Sequence, residues 1–333
     1  MINILNVKEN KVSVNLGEYP IVLMSEKSGD GKTFSFDKLL RDLLPQGDSR
    51  KPLFIMLEDR YQHIPNIMAV RVRDIPELLQ VKAQLLTPQA KEMFSCVIID
   101  TADKLDTMME KYIADSKEVE ITGELQFGKG NKYIKNKLYI IDELRNNGWT
   151  VHFTCQCAEN TNIITQKTTY TPKLNKETWA KISQDAYLIG MLKKDPKSQE
   201  RLITFNKTSE YTELKDSLNM PKIVKVSEFA KVLKNAILSI DGAEFTEEKT
   251  ISKEVKEEVS FDDLIKRGND LGKILFENGK SEEAFNILRT NIGVKNPDTK
   301  EPKMFSDILP TQIELAKVVV IKLEELSIKY KLL

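Results

Sequence analysis

The chain has 333 residues, which is enough for one large domain with a sizeable core and a smaller second domain. Lysine and arginine together number 50, as do aspartate and glutamate, so there is no global basic field and any nucleic-acid contact must depend on local patches. A hydrophobic content of 41% with 30% charged residues is typical of a globular protein, and no apolar run reaches membrane-spanning length.

The cysteine content and the N-terminal sequence predict a cytoplasmic protein. Cys96, Cys155 and Cys157 are too few for a disulfide framework, and the first residues lack a signal-peptide pattern. Cys155 and Cys157 stand close together, but the chain has two histidines and neither is suitably spaced to complete a metal site. We therefore expect no cysteine-bound metal.

Short apolar runs alternate with helical periods through the first half, which predicts an α/β fold with a mainly parallel sheet flanked by helices. The predicted strands are 12–16, 21–24, 53–57, 68–72, 96–99, 151–155, 186–191 and 202–206. The predicted helices are 32–44, 75–86, 104–114, 131–147, 176–184 and 227–239. Asn147-Gly148 is expected to end the fourth of these helices as a glycine cap.

Two polar stretches, 115–130 and 158–175, interrupt this pattern and are predicted to be long loops, either functional or disordered. A charged segment with few apolar residues follows at 241–258 and is interpreted as a flexible linker. A capped helix begins near Ser260, and helical periods continue to the last residue. The predicted domains are therefore a large α/β domain at 1–240, a linker at 241–258 and a small helical domain at 259–333.

The segment from Pro20 to Thr33 reads as a buried strand, a glycine-bearing loop and a Gly-Lys-Thr that opens a helix. In a P-loop the backbone N–H groups surround phosphates, the lysine neutralises charge and the threonine hydroxyl binds Mg²⁺. Glu26 stands where the motif has its first glycine, so its carboxylate must point away if the loop binds phosphate. The alternative is a chance Gly-Lys-Thr at an ordinary helix start. The candidate nucleotide-binding residues are Ser28, Gly29, Asp30, Gly31, Lys32, Thr33 and Phe34.

A second nucleotide signal is the apolar strand that ends at Asp100, which fits a Walker B carboxylate supporting Mg²⁺. Thr101 follows where many ATPases place a catalytic glutamate. Glu58, at the end of the 53–57 strand, is the alternative carboxylate for activating water, unless it is only a solvated acid. Gln156 ends another strand and is a candidate γ-phosphate sensor. His152, inside that strand, is interpreted as a core residue.

At this point the chain resembles RecA-type ATPases, most of all the phage-encoded nucleotide-binding AAA proteins, some of which are single-strand annealing or recombination factors. The resemblance covers residues 10–210 and is carried by Glu58, the Ile-Ile-Asp-Thr strand, the Gly-Lys-Gly-Asn-Lys-Tyr at 128–133 and the segment 147–154. It departs from the family at Glu26, and at 155–157, where Cys-Gln-Cys replaces a histidine-containing strand end. The resemblance implies ATP and Mg²⁺ as cofactors, with Lys32, Glu58 and Gln156 catalytic and with Thr33 and Asp100 holding the metal.

The resemblance also implies that the two polar stretches contact DNA. Their lysines and aromatic residues suit single-stranded DNA. The candidate DNA contacts are Lys129, Lys132, Lys135, Lys167 and Lys173. A homo-oligomer is expected because such filaments and rings complete their sites from adjacent subunits. Arg201 and Lys207 are candidates for reaching a neighbour's phosphate, unless they are ordinary surface charges.

The predicted function is an Mg-ATP-dependent, phage-encoded ATPase that couples ATP binding and hydrolysis to single-stranded DNA in recombination, annealing or replication. The rival interpretation is a P-loop protein that does not hydrolyse ATP and recruits a protein partner through its C-terminal helices. A small-molecule kinase is disfavoured because no acceptor site is recognisable.

Overall fold

The computed structural model of the chain describes residues 11–27, 29–44, 47–59, 61–62, 64–117, 139–246, 260–293 and 304–332. The chain divides into two compact units, Met1–Lys253 and Glu254–Leu333. Within the described ranges, none of the helices combines the length and the apolar character needed to cross a lipid bilayer.

The strands of the described residues are β1 (Val12–Ser13), β2 (Ile21–Ser25), β3 (Lys51–Met56), β4 (Met68–Arg71), β5 (Phe94–Asp100), β6 (Val151–Thr161), β7 (Thr168–Pro172), β8 (Leu188–Lys194), β9 (Arg201–Thr204), β10 (Lys215–Asp216), β11 (Ile223–Lys225) and β12 (Phe245–Thr246). The helices of the first unit are α1 (Lys32–Asp42), α2 (Ile75–Leu85), α3 (Pro88–Met93), α4 (Ala102–Lys117), α5 (Tyr139–Asn146), α6 (Lys176–Asp185) and α7 (Phe229–Leu238).

A ten-stranded sheet in the order β11-β9-β8-β2-β6-β5-β3-β4 forms the centre of the first unit, with β10 paired to β8 and β7 paired to β6. The strands from β8 to β4 in this order run parallel, whereas β7, β9, β10 and β11 pair in the antiparallel sense. The predicted α/β fold with a mainly parallel sheet is confirmed. Its order places a single strand, β6, between β2 and β5.

Apolar side chains cover both faces of this sheet, as expected for parallel strands with helices on each side. In β2, Val22 and Met24 face one core, whereas Ile21 and Leu23 face the other. Helices α2, α4, α5 and α6 contribute to the first core, and α1 and α7 contribute to the second. Because both faces are buried, β2 reads as a continuous apolar run rather than an alternating one.

The prediction that residues 158–175 form a loop is wrong. Most of it is a β-hairpin, because β6 continues to Thr161 and β7 returns alongside it. Side-chain hydrogen bonds cross the pair between Thr161 and Thr168 at 3.1 Å and between Asn160 and Thr171 at 2.9 Å. These strand ends are polar because they are exposed, so they lack the apolar alternation that would have predicted a strand.

Other predicted bounds also differ from the structure. The strand predicted at 12–16 stops at Ser13, and a 3₁₀-helix at Leu16–Glu18 follows it. Helix α4 continues to Lys117, and the rest of the first polar stretch, with the start of the predicted 131–147 helix, lies outside the described residues. The cap of α5 is confirmed, because Gly148 has a φ of 78° and its N–H donates to the Arg145 carbonyl at 2.9 Å.

The second unit contains α8 (Phe261–Glu277), α9 (Ser281–Ile292) and α10 (Ile313–Lys329), which share one apolar core. Ser260 caps α8 as predicted, since its hydroxyl accepts the N–H of Asp263 at 3.1 Å. The predicted linker begins too early, because β12 pairs in parallel with β1 in the first unit. Residues 247–259 lie outside the described residues.

Candidate functional site

The loop between β2 and α1 turns back on itself before the helix begins. Ser25 donates its hydroxyl to the Lys27 carbonyl at 2.9 Å, and the Lys27 N–H donates to Asp30 Oδ2, also at 2.9 Å. Gly29 and Gly31 have φ angles of 95° and 85°, in the left-handed region that glycine enters most easily. The loop therefore delivers the chain to the N-terminus of α1, where helix N–H groups lack intrahelical partners. Ser28 lies outside the described residues.

Lys32, the first residue of α1, is buried at the mouth of the helix. Only 7% of Lys32 is exposed to solvent, although its side chain carries a charge. The ammonium donates to Ser25 Oγ at 2.9 Å. An ammonium has three donors and Ser25 accepts one of them, so Lys32 retains capacity to bind an anion beside the helix N-terminus.

Asp100 lies between two threonine hydroxyls. Its Oδ2 accepts a hydrogen bond from Thr33 Oγ1 at 2.5 Å, and its Oδ1 accepts one from Thr154 Oγ1. The contact follows from the strand order, because Thr154 lies on β6, the strand that separates β2 from β5. Burial raises the pKa of Asp100 above its ordinary value, although the hydrogen bonds from Thr154 and Thr33 act against it.

Glu58 and Gln156 reach the same edge of the sheet. Met56 pairs in register with Asp100, and the Leu57 N–H donates to the Asp100 carbonyl at 2.7 Å, so half-buried Glu58 lies two residues beyond the position paired with Asp100. Gln156 pairs in register with Ser25. The structure thus gathers these strand ends around the loop, while the water-activating and sensing roles stay predictions.

His152 is a core residue, as predicted. It is fully buried, and its Nδ1 accepts the backbone N–H of Ile21 at 3.1 Å. Its ring meets Phe36 edge-on, with ring centroids 5.7 Å apart. Burial, with a smaller contribution from the charge of Arg145, lowers the pKa of His152 to about 3. The imidazole is therefore neutral at physiological pH.

Glu26 points away from the helix mouth. Tyr211 donates its hydroxyl to Glu26 Oε1, and Lys193 Nζ lies 2.8 Å from the same oxygen. Burial tends to raise the pKa of Glu26, but the hydrogen bonds from Lys193 and Tyr211 outweigh it and hold the pKa below its ordinary value. Because β8 runs next to β2, Lys193 is within reach of the residue that follows β2. The acid is thus neutralised on the β8 side.

Sequence reasoning did not predict a role at this site for Ser25, for Thr154 or, within its own subunit, for Arg201. Ser25 and Thr154 are fully buried polar residues in apolar strands, which is a signal that a sequence can show. Arg201 was predicted to be either an ordinary surface charge or a residue that reaches a neighbour's phosphate, whereas its guanidinium lies against Gly31 of its own chain. No sequence signal predicts that contact, since it requires the strand order.

A cavity of about 280 Å³ lies beside α1, next to the loop. It is lined by Phe34, Asp37, Lys38, Arg41, Asp42, Ile64, Pro65 and Asn66. Phe34 follows Thr33 directly and is 40% exposed, so the cavity opens close to the mouth of the helix.

The candidate DNA-contacting lysines fall in two groups. Lys129, Lys132 and Lys135 lie outside the described residues. Lys167 and Lys173 are exposed at either end of β7, in the hairpin. At the hairpin tip, Ile163 and Ile164 are 92% and 93% exposed. Lys167 and Lys173 are therefore accessible to a ligand.

Comparison with known proteins identifies the family of the chain. A family model described as AAA domain matches residues 19–213, more than half of the chain. The SPbeta prophage-derived uncharacterized protein YorG of Bacillus subtilis (strain 168) is 22% identical over 261 residues, which cover 73% of this chain and 79% of that protein.

Two solved structures are also similar. The flagellar accessory protein FlaH from Methanocaldococcus jannaschii has a TM-score of 0.33 at 9% identity, covering 62% of this chain and 84% of FlaH. The RadB recombinase has a TM-score of 0.32 at 14% identity, covering 56% of this chain and 80% of RadB. Because the family model spans the loop, β5 and all of β6 to β9, the chain belongs to the AAA domain family of P-loop nucleotide-binding proteins.

Proposed function

We propose that the chain is a RecA-like P-loop ATPase that binds Mg-ATP at the mouth of α1 and hydrolyses it. The observation that carries this proposal is the 2.5 Å hydrogen bond between Thr33 Oγ1 and Asp100 Oδ2, next to the buried ammonium of Lys32. A hydroxyl, a carboxylate and an ammonium group therefore lie together at the start of the helix, where backbone N–H groups are free to bind an anion.

The donor set fits Mg²⁺. This ion prefers hard oxygen ligands and is usually held by one or two protein oxygens together with substrate phosphates. Thr33 and Asp100 offer such oxygens, and a buried carboxylate is stabilised by a nearby cation. When bound, the ion would neutralise charge on the β- and γ-phosphates. Lys32 would bind phosphate oxygens in place of its present contact with Ser25.

The water-activating group in this proposal is Glu58, which lies one strand away from Asp100 on the same edge of the sheet. A carboxylate there can orient water and accept its proton during attack on the γ-phosphate. Gln156 pairs in register with Ser25, so its amide is positioned to bind the γ-phosphate when ATP is present. The cavity beside Phe34, whose lining is partly apolar and partly charged, is the proposed place of the nucleobase.

The test is a binding titration with a fluorescent ATP analogue in the presence of Mg²⁺. Lys32→Ala should weaken binding by at least about 100-fold, because it removes a buried charged partner of the phosphates. Lys234→Ala, on the exposed face of α7, is the matched control and should bind like the wild type. Unchanged affinity in Lys32→Ala would refute the site.

We further propose that the protein is phage-encoded, acts in the host cytoplasm and uses the bound nucleotide to act on single-stranded DNA in recombination, annealing or replication, as a homo-oligomer. The prophage origin of YorG supports the first point. Three free, buried cysteines suit a reducing compartment. Exposed Lys167 and Lys173 on the hairpin support phosphate contacts.

A labelled oligonucleotide, titrated at two salt concentrations with and without ATP, tests the DNA part of the proposal. We expect salt-sensitive binding that the double variant Lys167→Ala/Lys173→Ala weakens, together with phosphate release that DNA stimulates. Light scattering measures the subunit number under the same conditions. Binding of a protein partner by the C-terminal helices, without turnover or DNA binding, would favour a non-hydrolysing interaction protein instead.

A further inference from the structure

Arg201 is the first residue of β9, and it lies at the end of the sheet where the parallel strands finish and α1 starts. It pairs in register with Lys194 at the end of β8, and β8 lies beside β2. A Cβ atom placed on Gly31 would lie 2.8 Å from both Nε and Nη2 of Arg201. The guanidinium is thus packed directly against the glycine that precedes Lys32.

This guanidinium packs against an aromatic ring but lacks a hydrogen-bond partner for its Nε among the described residues. Its central carbon lies 4.9 Å from the centre of the Phe34 ring. Arg201 Nε is buried and has no hydrogen-bond partner among the described residues. No ion pair of Arg201 occurs in the part of the chain that the structure describes. A guanidinium has five donors in a planar fork that matches phosphate oxygens, and a buried donor without a partner is costly.

The guanidinium and the metal-binding carboxylate approach the loop from opposite flanks. In the sheet order, β9 lies two strands from β2 on one side, and β5, which carries Asp100, lies two strands from β2 on the other. Phosphates at the mouth of α1 would therefore meet Thr33 and Asp100 on one side and Arg201 on the other. Phosphate oxygens on the side away from Thr33 and Asp100 would then be within reach of Arg201.

We propose that Arg201 binds the phosphate oxygens of the nucleotide in its own subunit, on the flank opposite the metal. This inference rests on the proposed function, since it assigns one more ligand to the same nucleotide. A side chain at residue 31, where φ is 85°, would displace the guanidinium from this position. Arg201 is then a determinant of affinity for di- and triphosphates.

Affinity for ATP, ADP and adenosine, measured for Arg201→Gln and for the wild type, tests the proposal. We expect Arg201→Gln to bind ATP and ADP at least about 10-fold more weakly, the loss typical of a charge-assisted hydrogen bond, with adenosine affinity unchanged. Arg201→Lys should recover part of the loss. Lys194, which pairs in register with Arg201, is exposed, so Lys194→Gln removes a nearby charge and should bind all three ligands as tightly as the wild type. Thermal unfolding without nucleotide verifies that each variant is folded.

A mixing experiment separates action within one subunit from action on a neighbour. Lys32→Ala protein retains Arg201 but lacks the phosphate-binding lysine, so adding it to Arg201→Gln protein would restore affinity only if Arg201 acts across subunits. We expect no restoration. Restored affinity, wild-type affinity in Arg201→Gln, or an equal loss for adenosine would each overturn the proposal.

The same measurements separate the role of Arg201 from the existence of the nucleotide site. If the wild type binds ATP and Lys32→Ala does not, the nucleotide site stands, and Arg201→Gln alone decides the role of Arg201. If the wild type fails to bind ATP at all, the proposed function itself fails. Should Arg201→Gln not fold, competition by inorganic pyrophosphate, compared between Arg201→Lys and the wild type, gives the same decision: weaker competition in Arg201→Lys supports the phosphate contact, and equal competition refutes it.

Discussion

Lys193 Nζ lies 2.8 Å from Glu26 Oε1 and so ties the end of β8 to the loop that precedes α1. The same ammonium lies 4.5 Å from the centre of the Tyr211 ring, and Tyr211 stacks on Tyr170 of β7 with centroids 5.4 Å apart. This contact explains how an acid can occupy the position where the P-loop motif has glycine. Its charge is balanced on the β8 side, and the same cluster joins the loop to the hairpin.

Glu26→Gln should therefore change ATP affinity by no more than about threefold, because the carboxylate does not face the phosphates. The loss of stability should stay within about 1 kcal/mol, as is usual for a partly exposed ion pair. A titration with a fluorescent nucleotide and a urea melt measure the two quantities. A tenfold gain in affinity would instead mean that Glu26 repels the phosphates.

Asp100→Asn should abolish most of the effect of Mg²⁺ on nucleotide binding. The amide keeps the shape of the side chain and can still accept from Thr33, but it removes the charge that holds a hard cation. We expect affinity in Mg²⁺ to fall at least about tenfold, with little change in EDTA. Asp142→Asn, at a half-buried ion pair with Lys181, is the control. An equal loss in both buffers would contradict a metal role.

Glu58→Gln should bind ATP normally and hydrolyse it about 100-fold or more slowly, which is the usual contribution of a general base. The adjacent Asp59→Asn is a sharp control, because Asp59 is paired with Arg71 and is exposed. Phosphate release under saturating ATP provides the measurement. Turnover at the wild-type rate in Glu58→Gln would remove this residue from the mechanism.

Acid should destabilise the first unit through His152. Its pKa is about 3 in the folded chain against an ordinary value of 6.5, so between these values the unfolded state binds a proton that the native state does not. Stability is therefore lost as the pH falls below 6.5. Between pH 7.5 and 5.5 this group alone accounts for about 1.4 kcal/mol.

His152→Asn provides the comparison, since its Oδ1 can accept the Ile21 N–H that Nδ1 now accepts. Urea melts at both pH values should show a loss about 1.4 kcal/mol smaller in this variant than in the wild type. Equal losses in the two proteins would show that His152 is not the titrating group.

Two glycines of α8 should respond to alanine in opposite directions. A Cβ on Gly268 would lie 2.3 Å from Phe305 Cε1, whereas a Cβ on Gly272, one turn later, meets nothing within 4 Å. Gly268→Ala should cost about 1–3 kcal/mol through overpacking, and Gly272→Ala should stabilise by up to about 1 kcal/mol through helix propensity. Hydrogen exchange of the α8 to α10 amides in the full chain measures both. Equal protection in the two variants would contradict the close packing of Gly268 on Phe305.

Much of the first unit could be predicted from local patterns. The apolar runs at β2, β3, β5 and β6 stand out because both faces of a parallel sheet are buried. The hairpin of β6 and β7 was missed because its polar strands are exposed, so neither a continuous apolar run nor alternation marks them. Strand β12 was missed because two residues carry no periodicity at all.

By itself, the sequence determined the local pieces of the site: a strand, a loop with glycines and Lys32-Thr33 at a helix start, and strands that end in Asp100 and Glu58. Only the tertiary structure decided which side chains meet. Thr154 reaches Asp100 because β6 lies between β2 and β5, and Arg201 reaches Gly31 because β9 folds back along β8. Strand order arises from packing across the whole sheet, so no local stretch of residues encodes it.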